Sequence, residues 1–137
     1  MKCEDCNLVS VVLDFLRKID TCVKEECKDV ELDEISAKLK TLTPLASVVL
    51  SKWNPEIVYC LYIKGTMSFN ELKRALGISS RVLSDKLKAL EDAEIVSRNV
   101  KPEKPPRVYY ELTDFGKTVA SALVPLFVVI YTQDSRI

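Results

Sequence analysis

Cys3, Cys6, Cys22 and Cys27 follow the pattern C-x2-C-x15-C-x4-C, a candidate set of zinc thiolates. Zinc gathers four such ligands at about 2.3 Å from one ion. The residues between the two pairs stand in the way. Asn7 to Cys22 carries a helical apolar period, and a helix of that length holds its ends about 22 Å apart at about 1.5 Å per residue. One chain would have to break that helix to unite the pairs, whereas two antiparallel chains could unite them between copies. A CxxC at a helix start also suits thiol–disulfide exchange, because the helix N-terminus lowers a thiol pKa. No βαβ pattern of a thioredoxin-like enzyme surrounds it. A redox- or zinc-responsive switch is thus an alternative, and the main expectation is that no cofactor is held. Cys60, among Ile57, Val58, Leu61 and Ile63, reads as core.

Catalysis has little to work with. The 137 residues include no histidine and only three glycines, Gly65, Gly77 and Gly116. The commonest general base is therefore missing, and no glycine-rich phosphate cradle can be assembled. The expectation is a protein that is not an enzyme.

The second chemistry is electrostatic. Leu83, Leu87 and Leu90 recur at i, i+4 and i+7 and should face a core, which turns Arg81, Ser84, Asp85, Lys88 and Asp92 outward. Arg81 and Lys88 could reach guanine edges or phosphates in a DNA major groove, and Ser84 could bond to either. Ser79 and Ser80 stand at the helix start, where backbone N–H groups favour a phosphate. Asp85 could accept from a cytosine amino group or brace Arg81 one turn away; the plain alternative is a solvated helix face. Arg98, Lys101, Lys104 and Arg107 gather around a loop stiffened by Pro102, Pro105 and Pro106, a second candidate contact to DNA. Prolines also guard exposed hairpin edges, but that does not account for four basic residues.

Charge is balanced overall but unevenly spread. Residues 1–44 hold seven Lys and Arg against ten Asp and Glu, 45–112 hold eleven against eight, and 113–137 hold two against two.

These residues need elements to hold them. Leu8, Val12, Phe15, Ile19 and Cys22 repeat at spacings of 4, 3, 4 and 3, a seam wide enough to suggest a partner chain. A second helix restarts near Val30. Thr43-Pro44 and Asn54-Pro55 each read as an N-cap followed by proline in the first helical turn, the latter helix running to Gly65. Ser68 to Glu71 has capping-box spacing and opens a short helix to Gly77. Ser79 or Ser80 caps the next helix, to about Ala93. Ile95–Val100 and Val108–Leu112 read as strands, and Thr113 caps a last apolar helix, with Pro125 a place for a bend. Its richest run, Val124–Tyr131, is too short to cross a membrane, and the polar N-terminus does not read as a secretory signal, so the expected location is the cytoplasm.

Over about 48–127 the chain resembles the HxlR family of winged helix-turn-helix transcriptional regulators, relatives of the MarR-like group. The resemblance is carried by Lys52-Trp53, Phe69-Asn-Glu-Leu-Lys-Arg74, Gly77-Ile-Ser79, Val82-Leu-Ser84, Leu87-Lys-Ala-Leu90 and the run from Pro105 through Thr113 to Gly116. It implies homodimers built from terminal helices, a recognition helix at 79–93 and a wing at 98–107. Three positions depart from the family: Ser68 replaces a basic residue, Glu94 replaces a glycine, and no cysteine precedes Lys52-Trp53 near 40–44.

The expected fold is therefore mainly α with a small β-hairpin wing, a winged helix-turn-helix with added N-terminal helices. Its parts are an N-terminal helical extension at 1–43, a DNA-binding domain at 44–113 and a C-terminal helix at 114–137, the two ends serving dimerisation. The expected partners are double-stranded DNA and a second copy of the chain, with no membrane. A winged-helix protein-interaction module or an architectural chromatin protein is the alternative from another class.

Overall fold

The computed structural model describes residues 7–134. Six helices and three strands follow in the order α1 (Leu8–Glu26), α2 (Leu32–Val49), α3 (Asn54–Lys64), β1 (Thr66–Ser68), α4 (Phe69–Leu76), α5 (Ser80–Asp92), β2 (Val96–Lys101), β3 (Arg107–Leu112) and α6 (Asp114–Asp134). This is a mainly helical winged helix with a small antiparallel sheet. It divides into two compact units, Leu42–Leu123 and the described residues of 1–41 and 124–137.

Within Leu42–Leu123 the core assembles around α3, α5, β2, β3 and the first half of α6, and the short β1–α4 corner adds Met67 and Leu72. Ile57, Val58, Leu72, Leu83, Leu90 and Ile95 are wholly buried, and Leu61, Leu87, Val96, Tyr110 and Leu112 nearly so. Each fully buried Leu or Ile contributes about 1.5–3 kcal/mol of transfer free energy. The sheet order is β1-β3-β2, antiparallel throughout. Strand β1 lies outside the sequence-based expectation. Three residues carry no readable alternation, and pairing with β3, with Met67 opposite Tyr110, is what makes them a strand.

Local signals hold at α4 and α5. Ser68 Oγ accepts from the Glu71 N–H at 3.2 Å, and Gly77, at φ +65°, ends α4 with its N–H on the Lys73 carbonyl. Such a left-handed C-cap costs glycine nothing. Ser79 Oγ then accepts from the Val82 N–H at 3.2 Å. Glu94, where the family has glycine, takes φ +60°, so the turn into β2 forms without the glycine. Its neighbours compensate: the Glu94 and Ile95 N–H groups donate to the Glu91 and Leu90 carbonyls, and Thr113 Oγ1 donates to the Glu94 carbonyl at 2.6 Å. The same hydroxyl caps α6 by accepting from the Gly116 N–H at 2.9 Å. A Cβ at Gly116 would collide with the Ile95 carbonyl oxygen, so this position needs glycine for space.

Both expected N-caps are corrected, although Pro55 does stand in the first turn of α3. Pro44 lies inside α2 rather than at a helix start. The helix continues through it, and the proline forfeits one backbone donor. Asn54 is the first residue of α3, preceded by Trp53 at φ +76°, and its side chain does not cap that helix. Instead Asn54 Nδ2 donates at 2.6 Å to the Val48 carbonyl near the end of α2, which also accepts from the Ser51 N–H at 3.3 Å. Trp53, half-buried, lies at the junction of α2 and α3, with Lys52 Nζ at 5.4 Å from its ring centroid.

In the other unit α1 runs four residues beyond Cys22, helped by the Lys24–Asp20 pair at 2.8 Å, and ends where the Cys27 N–H meets the Val23 carbonyl. Of the seam Leu8, Val12, Phe15, Ile19, only Val12 is buried; Leu8, Phe15 and Ile19 are 40–50% exposed. The apolar run Val124–Tyr131 lies in α6. It belongs to a helix which, by length and composition alone, could cross a bilayer. The first half of that helix is core of the wing unit, with Ala120 and Leu123 buried.

Candidate nucleic-acid interface

The buried row Leu83, Leu87 and Leu90 fixes the rotation of α5, so the opposite face is set by geometry. Arg81, Ser84, Asp85, Lys88 and Asp92 are all exposed, as are Ser79 and Ser80 at the helix start. The Ser79 cap engages one first-turn N–H and leaves the helix start outward, where an anion gains from the helix dipole. Asp85 does not brace Arg81: neither forms an ion pair among the described residues.

The wing is a two-stranded ribbon closed at Lys101 opposite Arg107, with 102–106 between them. Directly opposed residues share a face, and faces alternate along a strand. Arg98 opposes Tyr110, which is buried, whereas Lys101 and Arg107 share the other face with Tyr109. The four basic residues are therefore not one patch. Lys101 and Arg107 come together, Lys104 rides in the loop between them, and Arg98 projects from the opposite face.

Tyr109 organises the pair. Lys101 Nζ sits 4.5 Å from its ring centroid, a cation–π contact. A side-chain hydrogen bond to Tyr109, aided by its charge and by Glu103, holds the Arg107 guanidinium above its already high range. Like any arginine, Arg107 is a permanent cation. The Arg107–Glu103 pair, at 3.8 Å and more than half exposed on both sides, is weak and easily exchanged for a phosphate.

The profile of the HxlR-like helix-turn-helix family matches residues 48–133. The chain belongs to the HxlR-like family. An HTH-type transcriptional regulator of Bacillus subtilis, YvaP, is 47% identical to this HxlR-like chain over 77 residues, 55% of this chain and 70% of that protein. Another, BH0655 of Halalkalibacterium halodurans, is 36% identical over 103 residues, 71% of this chain and 91% of its own. Among solved structures, the transcriptional regulator ytfH from Salmonella typhimurium superposes with a TM-score of 0.63 at 30% identity, covering 69% of this chain and 84% of its own. The HxlR-like chain is thus a winged-helix transcriptional regulator of the helix-turn-helix type.

Cys22 and Cys27 are free and exposed at the end of α1, and Cys3 and Cys6 lie outside the described residues. No group of three or more His, Cys, Asp or Glu side chains suited to a metal occurs among the described residues. Cys60 is half-buried, and burial, with Glu56 nearby, pushes its thiol up, so it stays protonated at neutral pH.

One feature of the HxlR-like unit has no counterpart in the sequence-based expectations. A cleft of about 410 Å³ lies between the end of α2, the start of α3 and α5. Lys86 closes part of it, Nζ donating to Ser51 Oγ at 2.8 Å across 35 residues of sequence. Asn54, on its wall, has its Oδ1 buried without a hydrogen-bond partner. The cap-like Asn54-Pro55 pair hid this, because a local rule explained the asparagine before its tertiary role could be seen.

Proposed function

We propose that this HxlR-like regulator acts as a homodimer that binds duplex DNA sequence-specifically, with α5 in the major groove and the wing on the backbone or in the minor groove. Arg81, Ser84 and Lys88 read base edges, and Ser79 and Ser80 hold a phosphate at the helix start. Lys101, Lys104 and Arg107 supply sequence-independent affinity. Arg98, on the other sheet face, adds to the field rather than to the same contact. Asp85 sits at the edge of the groove face and contributes least. The observation that carries this reading is the exposed polar face of α5, fixed in rotation by three buried leucines and flanked by a ribbon whose tip is cationic.

The dimer is supported by the uncovered apolar faces of α1 and α2 and of the C-terminal half of α6, on which Phe15, Ile19, Leu39, Leu126 and Ile130 are 41–55% exposed. Apolar surface of that extent marks an interaction site. Residues 1–43 and 114–137 then serve dimerisation around a DNA-binding domain at 44–113, in a cytoplasmic protein. A two-fold dimer reads two half-sites about one helical turn, about 34 Å, apart.

A gel-shift titration tests this, using DNA from upstream of the protein's own gene and a scrambled control at several salt concentrations. The expected result is tight binding to the upstream fragment, weakening steeply as salt rises, and weak binding to the control. Equal binding to both would make the protein an architectural binder, and an affinity indifferent to salt would favour a protein partner.

A further inference from the structure

We infer that Tyr109 is a positioning residue of the wing, holding Lys101 and Arg107 as one preformed cationic pair that meets the phosphates of a DNA backbone. The inference rests on the DNA-binding reading above and says which side chain makes the wing's two cations act together.

The sheet fixes the tyrosine first. Strand β3 lies between β1 and β2, and Tyr109 stands opposite Ser68 on one side and Asn99 on the other. Both neighbours spend their polar groups elsewhere. Ser68 Oγ accepts from the Glu71 N–H, and Asn99 Nδ2 donates to Glu111 Oε1 at 3.0 Å. Register then brings the cations to the ring. Lys101 lies diagonally across from Tyr109, two residues beyond Asn99, and Arg107 lies two residues before it on the same strand. All three share one sheet face, at separations that aromatic and long side chains span.

Each cation uses a different part of the tyrosine. The ring takes Lys101, whose Nζ is 4.5 Å from the centroid, and the hydroxyl hydrogen-bonds the Arg107 guanidinium. Lys101 forms no ion pair among the described residues. Arg107 has two carboxylates to turn to, Glu103 at 3.8 Å and Glu71 on α4. Removing the tyrosine therefore disperses the pair. Free lysine and arginine side chains surrender rotamer freedom when they settle on a phosphate, and a pair already gathered surrenders less.

The first measurement needs no DNA. By NMR of the full chain, the ring should move the Lys101 ε-methylene protons upfield. Tyr109→Phe should keep that displacement, and Tyr109→Val, a change to a good strand former, should lose it. Affinity follows by fluorescence anisotropy on upstream and scrambled DNA across a salt series. Tyr109→Val should weaken both sequences alike by about three- to tenfold and keep the salt slope, because both charges remain. In a Lys101→Ala, Arg107→Ala background the same change should cost less than about twofold. Tyr109→Phe should fall between, and its loss should vanish against Arg107→Ala; this arm carries the test if Tyr109→Val unfolds. No upfield displacement in the wild type, wild-type affinity in Tyr109→Val, a loss that persists without the two cations, or a reduced salt slope would overturn the role. A wild-type chain that shows the displacement yet binds neither DNA would remove the DNA-binding reading, and this role with it.

Discussion

The two units spend similar sequences differently. In Leu42–Leu123, Leu83, Leu87 and Leu90 at helical spacing are no more than 1% exposed. In α1 a seam of the same periodicity leaves Phe15 50% and Ile19 41% exposed. Periodicity declares an apolar face in both places, but only the chain's tertiary partners decide whether the face is covered. The wing unit completes its own core; the terminal helices present theirs.

The sharpest way to break this contrast is to truncate one residue of each seam. Leu87→Ala should cost about 2–5 kcal/mol of folding stability in urea titrations, since it empties a site the surrounding core cannot refill. Loss within the range of surface substitutions, about 0.5 kcal/mol, would show that the wing core is loosely packed. Phe15→Asp should act differently. It should weaken self-association by tenfold or more in sedimentation equilibrium, and remove the rise of melting temperature with protein concentration expected of a dimer. A monomeric wild-type chain, or a dimer indifferent to Phe15→Asp, would mean that α1 faces something else.

The parts legible from sequence were those whose physics is local. Ser68, Gly77, Ser79 and Thr113 each satisfy or end a helix terminus within a few residues, so type and spacing suffice. The leucine row of α5 was legible because one rotation of a helix buries all three. What was not legible depended on distant partners. Pro44 looks like a helix start by composition, yet α2 runs through it. Asn54 looks like a cap, yet it serves the helix before its own. Strand β1 exists only because β3 lies beside it. The basic residues of the wing read as one group along the chain, and pairing register divides them: Lys101 and Arg107 on one face, Arg98 on the other. The Asn54 cleft was invisible for the same reason, since its walls come from two distant stretches of chain, 47–54 and 82–89.

The most direct test of the central claim, that α5 specifies and the wing holds, is fluorescence anisotropy of Arg81→Ala and Lys101→Ala on upstream and scrambled DNA across a salt series. Arg81→Ala should lose about 1–3 kcal/mol of discrimination between the two sequences, with its binding to scrambled DNA changed far less. Lys101→Ala should weaken both sequences alike and reduce the salt slope by about one contact per protomer. Equal losses on both sequences from both variants, with the same change of salt slope, would contradict the division of labour between helix and wing.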